Sequence, residues 1–470
     1  MNDDNPNEPF KEGNNIENIE NEVNQNKCKK ICKKFCKKRS IIIGIFIGLV
    51  IIIIAFILII AFTSSNEEKE YKKSNTLKLV YYTSEEEEVG VTLFSSKILS
   101  HISSLTIDGI KKEEINNYYT FDVAGEHVVQ INLKTNLVSL SELFKYNEYL
   151  VQADFSDVET QNINDTSQMF YRCNNLISIN LVNFTTPSLI KMADMFNGCS
   201  SLTSIDLSYL DTSKVDDMSN LFAGCFSLEK IDLSKFNTQN VEKMQNMFSS
   251  CVSAKDINIK NFKTSKVTDM NKMFYKCYLV KTLDVSSFDT SKVTNMESMF
   301  NFCTSLENLN LEKFDTSKVI DMSNMFSSCY KMKNLNLEGL KTDEVINMNN
   351  MFNGCANLQE LNLNKFDTKN VKGMSMMFYG CKNLTSLNVS NFHTNKVENM
   401  GGIFGKCLKL KTIDIRNFDD SNLIIQSNLL NEVSNEGDIY YNSKIFNASL
   451  LNYSTIKNWN KIDVSNPKLF

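Results

Sequence analysis

Histidine is nearly missing from this chain: 470 residues hold three, at His101, His127 and His393. Three scattered imidazoles cannot build a zinc centre, which needs about four ligands converging tetrahedrally. The sequence also lacks a Gly-rich phosphate loop, a nucleophile elbow and any clustered metal-ligand motif. The acid, base and nucleophile that a catalytic site brings together are therefore not visible. A non-catalytic protein is expected, with no cofactor and no metal. Positive charge is not in excess either, since 50 Lys and Arg against 55 Asp and Glu leave a net charge of -5. That balance argues against a nucleic-acid partner.

What is present is a period. Ten of the thirteen cysteines, Cys173, Cys199, Cys225, Cys251, Cys277, Cys303, Cys329, Cys355, Cys381 and Cys407, stand 26 residues apart without an insertion. A repeat of that length is one turn of a stacked solenoid. Apolar residues recur three, six, eight and eleven positions after each cysteine, as in Leu202, Ile205, Leu207 and Leu210. This LxxLxL pattern predicts a strand whose alternating pair faces inward. Before each cysteine, Met296, Met299 and Phe300 or their equivalents are spaced for one face of a short helix. Asp217, Asp269, Asn295, Asp321, Asn347 and Asn399 would cap that helix, and Gly198, Gly224, Gly354 and Gly380 would end it in a left-handed conformation. A degenerate coil without cysteine begins near Leu140.

The expected fold class is an α/β repeat: a leucine-rich-repeat-like solenoid over residues 140–420, with a small β-rich cap at 75–139. Strands are predicted at Leu77–Tyr82, Val89–Phe94, Tyr118–Val123 and His127–Leu133. Residues 421–470 lose the period and would form a C-terminal cap whose register is unreadable.

Residues 41–62 are 22 uninterrupted apolar residues. As a helix they would extend about 33 Å, enough for a ~30 Å hydrocarbon core. A signal peptide's apolar region is shorter, roughly 7 to 15 residues, so a single transmembrane helix is expected over a cleaved signal. Residues 1–26 carry seven acids against Lys11 and few apolar residues, whereas 27–39 carry eight Lys or Arg and no acid. The first stretch reads as disordered. The second places the N-terminus in the cytosol, so that tail 1–40, helix 41–62 and stalk 63–74 would make a type II plasma-membrane protein with its solenoid outside. Among the basic residues, Cys28, Cys32 and Cys36 are candidates for acylation. In an exposed solenoid, the sequons at Asn164, Asn183, Asn383, Asn388, Asn447 and Asn452 are glycosylation candidates. Asn388, on a strand facing the concave side, is expected to be the least accessible.

The cysteine column is compatible with buried apolar thiols or with disulfides between neighbouring coils. The Asp or Asn seven residues after each cysteine fits a hydrogen-bonded ladder on a solvated face; a cation between Asp206 and Asp232 is the alternative. Outward positions vary from coil to coil, and the concave strand face, with Glu229, Lys230, Lys255, Asp256, Lys281, Glu307 and Lys333 at its centre, is the expected binding surface.

Units such as Ser201 to Cys225 and Asn383 to Cys407 resemble the BspA-like leucine-rich repeat surface proteins, and more closely their mycoplasma-type unit, LxxLDLSxFDTSxVTxMSxMFxGC. The resemblance covers about residues 140–420. It implies an exposed cell-surface solenoid that adheres to, or binds, extracellular or cell-surface proteins; a self-associating structural coat is the alternative. The sequence departs from many leucine-rich repeats in having Phe where a buried Asn ladder usually stands, so the turn's hydrogen bonds are expected from the Thr and Ser columns.

Overall fold

The computed structural model describes residues 73–84, 89–425, 429–451 and 456–465, all within the compact unit Lys73–Phe470. Residues 1–72, with the predicted transmembrane helix, Cys28, Cys32 and Cys36, and also Asn452, lie outside the described residues. Among the described residues no helix is long and apolar enough to cross a membrane.

Alternation of apolar and polar residues builds the cap. Its strands are β1 (Thr76–Thr83), β2 (Val89–Thr92), β3 (Ile102–Ile107), β4 (Ile110–Lys111), β5 (Tyr118–Phe121) and β6 (Gly125–Leu133). Leu77, Leu79 and Tyr81 point from β1 into the core and are fully buried. β1 pairs antiparallel with β6 on one side and with β7 (Leu150–Asp154) on the other, and β7 pairs parallel with β8 (Ser178–Asn180). The cap is thus joined by backbone hydrogen bonds to the first solenoid strand. The sequence reading missed β3, where the Ser103-Ser104 doublet interrupts the alternation and the pairing with β6 shifts register between Ile102 and Ser104.

Beyond the cap the protein is a β-solenoid of 26-residue coils. Its short parallel strands include β9 (Lys230–Asp232) with β10 (Asp256–Asn258), β11 (Asn308–Asn310) with β12 (Asn334–Asn336), and β13 (Ser386–Asn388) with β14 (Thr412–Asp414). Ile231 and Leu233 are buried, with exposed Asp232 between them, as the LxxLxL parity requires. A second rung per coil is a single parallel bridge, from Ser139↔Asp165 through Asp217↔Lys243 to Asn399↔Ile425. The ladder continues where the sequence period fades: β15 (Asp438–Tyr441) pairs with β14 one full period on, and β16 (Asn460–Asp463) pairs with β15 after a 22-residue step. The C-terminal segment therefore extends the solenoid.

The predicted helices do not form. The described residues hold 3₁₀ turns at Ser96–His101 and Ala448–Leu451, but before each cysteine the chain runs through successive turns. Between Asp194 and Leu202, for example, Asn197, Cys199 and Leu202 donate N–H to residues three back, while Asp194, Phe196 and Gly198 donate to Ser219, Leu221 and Ala223 of the next coil at 2.9, 3.1 and 2.7 Å. Asp194 and Gly198 adopt φ of 59° and 79°, which turns alternate N–H groups toward the neighbour. Because backbone hydrogen bonds join neighbouring coils along the turns as well as along the strands, the coils stay roughly 4.8 Å apart on this side too, which is too close for helices about 10 Å wide and suits a strip of turns. The expected caps form a different device: Asp217 accepts from Ser219 N–H at 2.9 Å and Asp321 from Ser323 N–H at 2.7 Å, as Asx turns.

Three buried columns hold the coils together. Phe rings from Phe170 to Phe404 stack at centroid separations of 5.5–6.0 Å. The threonines thirteen residues after the first nine cysteines of the column, Thr186 to Thr394, are buried, and Thr264 both donates to Asp289 O at 2.9 Å and accepts from Asp289 N–H at 2.8 Å. This Thr ladder does the work expected of the Thr and Ser columns. Each cysteine of the column Cys173 to Cys407 is free, and its thiol donates to the Phe carbonyl of the preceding coil, as Cys225 does to Phe196 O at 3.2 Å. In the first coil Asn147 takes the cysteine position and reaches back to Thr92 O at 2.8 Å, fastening the cap.

Candidate binding surface

The strand face carries the charged residues singled out from the sequence. Glu229, Lys230, Lys255, Asp256, Lys281 and Lys333 are exposed, and Glu307 is half-buried. Parallel register sets residues 26 apart side by side, so Asp256 lies opposite Lys230. Lys255 Nζ is 2.9 Å from Glu229 and Lys333 Nζ 2.8 Å from Glu307. The Lys333 ammonium, helped by Lys281 and Lys331, holds the Glu307 carboxyl below its usual range. Exposed pairs of this kind are screened by solvent and contribute little to stability.

The Asp and Asn column on the same face is occupied with turn formation. Asp206 accepts from Ser208 N–H at 2.9 Å and Asp232 from Ser234 N–H at 3.0 Å, and Asn258 Nδ2 donates to Asp232 at 2.9 Å. The Ser234 backbone N–H keeps the Asp232 carboxyl below its ordinary range. Among the described residues no group of three or more His, Cys, Asp or Glu is placed to hold a metal ion.

Of the three histidines, His127 packs into the cap. His127 is 8% exposed, stacks on Phe121 with centroids 3.9 Å apart, and places Nδ1 2.8 Å from Asp108 Oδ2 and Nε2 2.9 Å from Val123 O. It ties the β3–β4 turn to the loop before β6.

Of the sequon asparagines, Asn164, Asn183, Asn388 and Asn447 are exposed and Asn383 is half-buried. Asn388 is therefore not the least accessible, because the position between two inward residues of a strand points to solvent. In the Asn164 sequon, Thr166 is fully buried and donates to Lys191 O at 3.3 Å.

Sequence reading overlooked a second outward strip, on the runs of turns, because it assigned those residues to a helix. Its signal was available: Tyr171, Tyr275 and Tyr379 fall in one column, each with a cation over its ring.

The period, the free thiol column and the continuous row of single bridges from Ser139 to Ile425 define a particular repeat. The family described as "Mycoplasma protein of unknown function, DUF285" matches residues 138–258, 244–360, 329–439 and 356–466. The chain belongs to this family. The DUF285 matches begin at the first rung and run through β16, in agreement with a ladder that passes residue 420. No curated protein matches the chain. Thirteen chains of solved structures do. One, titled as a crystal structure of a TLR13–ssRNA13 complex, is 15% identical over 57% of this chain and 50% of its own, with a TM-score of 0.17. This DUF285 protein thus spans about half the length of the solved structure it matches.

Proposed function

We propose that this protein is a non-catalytic cell-surface recognition or adhesion protein, held by residues 41–62 as a type II single-pass anchor, whose solenoid binds extracellular or cell-surface proteins. One observation carries the reading: the strand face presents a row of exposed and half-buried residues of varied charge, Glu229 to Lys333, on a scaffold whose inward columns are apolar throughout and buried or half-buried. Uniform columns specify packing; the outward ones are left to select a partner. The resemblance to BspA-like surface proteins and the basic flank Lys27 to Arg39 support the same placement.

Two measurements test it. Protease added to intact cells should remove a C-terminal epitope and spare an N-terminal one; the opposite pattern sinks the topology. Cells displaying the chain should attach saturably to matrix or cell-surface proteins in a salt-sensitive way. Attachment should weaken when Lys255, Lys281 and Lys333 are replaced together by Gln, with unfolding unchanged. Ordered lateral arrays with no saturable attachment would replace this reading with that of a structural coat.

A further inference from the structure

The runs of turns place four residues per coil on their outer side, two between the methionines and two between Phe and Cys; in one coil Asn220, Ala223 and Gly224 are half-buried and Ser219 is buried. Their intercoil hydrogen bonds keep this strip in register along the solenoid. It is built mainly of Asn, Ser, Gly and Ala, and tyrosine interrupts it regularly. Tyr171, Tyr275 and Tyr379 stand 104 residues apart, one at every fourth coil. At about 4.8 Å per coil, consecutive tyrosines are about 19 Å apart.

Each tyrosine is half-buried and has a cation over its ring: Arg172 at 5.5 Å from Tyr171, Lys276 at 5.0 Å from Tyr275, and Lys406 at 5.7 Å from Tyr379. On this strip from Ser167 to Lys406, Arg172, Lys272, Lys276 and Lys406 stand against Asp194 and Glu297, four bases minus two acids, in a chain of net charge -5. Beside the middle tyrosine lies an unmet acceptor. Asn301 is 7% exposed, its Nδ2 donates to Ser298 at 3.4 Å, and its Oδ1 has no donor; Asn271 Oδ1, in the neighbouring coil, is also without one. Buried amide oxygens are rarely left so, and a ligand hydroxyl would complete them.

We propose that this strip binds a linear acidic polysaccharide laid along the solenoid. Tyr171, Tyr275 and Tyr379 offer ring surface to the apolar faces of sugar units, Asn and Ser exchange hydrogen bonds with hydroxyls, and Arg172, Lys276 and Lys406 meet carboxylate or sulfate groups. A protein partner calls for an apolar centre with aromatic anchors. Here amides and small residues fill the centre, and the aromatic–cation pairs recur along one line, as a repeating polymer requires. The proposal is independent of the strand face.

The test uses the full-length chain in detergent, with heparin and hyaluronan as immobilised acidic polymers and dextran as the uncharged one. The same columns already hold Asn197 and Asn353 in place of Tyr, and Gly198 and Gly224 in place of the cations, so these exchanges suit the fold. Wild type should retain at least one acidic polymer, in a salt-dependent manner, and not dextran. Tyr171→Asn, Tyr275→Asn and Tyr379→Asn together should lower that affinity tenfold or more. Arg172→Gly, Lys276→Gly and Lys406→Gly together should lower both affinity and its salt dependence, with unfolding temperatures unchanged. Should a triple variant unfold early, the single variants Tyr171→Asn and Tyr379→Asn decide: a loss in each supports the site. Retention no better than on dextran, or tyrosine variants that bind like wild type, would overturn it.

Discussion

At the scale of single residues, the cysteine column shows how chemistry follows burial. The ten thiols sit among Phe, Met and Leu side chains with no opposite charge nearby, and desolvation pushes those of Cys225, Cys277, Cys329 and Cys407 from an ordinary 9.0 up to about 12. A thiol held protonated in the fold but free to ionise once unfolded contributes stability that is fully present below pH 9 and is lost as pH rises toward 12. The urea midpoint should therefore fall between pH 8 and pH 11. Lysines and tyrosines titrate in the same range, so the deciding comparison is with a variant carrying Cys225→Ala, Cys277→Ala and Cys329→Ala, which should show a shallower fall. An equal slope in both chains would mean that the thiols do not contribute. At pH 8 the same thiols should resist alkylation in the native state and react once unfolded, without reductant.

At the scale of the element, the run of turns depends on left-handed residues. Gly224 adopts φ of +72°, and a Cβ built there would make ordinary van der Waals contact, with Gly198 Cα at 3.4 Å its nearest neighbour. The cost of substitution there is torsional. Ser250, Lys276 and Ser328 occupy the same column at φ of 62°, 59° and 61°, so unbranched side chains are tolerated and no coil carries a β-branched one. Gly224→Val should destabilise the solenoid by about 1–2 kcal/mol, while Gly224→Ser should cost less. Thermal unfolding of the two variants checks the order; Val and Ser behaving alike would show that φ is relaxed at this position.

At the scale of the whole molecule, a parallel ladder leaves an open edge at each end. The N-terminal edge is covered by β1 running antiparallel to β7, and at the other end β15 and β16 continue the sheet past β14. Ending the chain after Asp420 would expose the N–H and C=O groups of β14, and unpaired edges template association. The truncated chain should elute as larger species than the full chain and unfold at a lower temperature. Unchanged elution and unfolding would show that the last two strands do not protect the edge.

The 26-residue period, the inward parity of Ile231 and Leu233, the Thr ladder and the degenerate first coil are all legible in the sequence, because each is a column of like residues and stacking makes column and neighbour the same thing. The charged strand face was legible for the same reason, as the columns that vary. Tertiary structure alone decided the rest. Met296, Met299 and Phe300 have a spacing that suits a helix face and a run of turns equally, and the narrow coil spacing imposed by β-pairing excludes the helix. Asn388 is open to solvent because the residues on either side of it turn inward. The continuation through β15 and β16 was hidden because a strand is recruited by the free backbone groups of the strand before it, which accept a 22-residue coil as readily as one of 26.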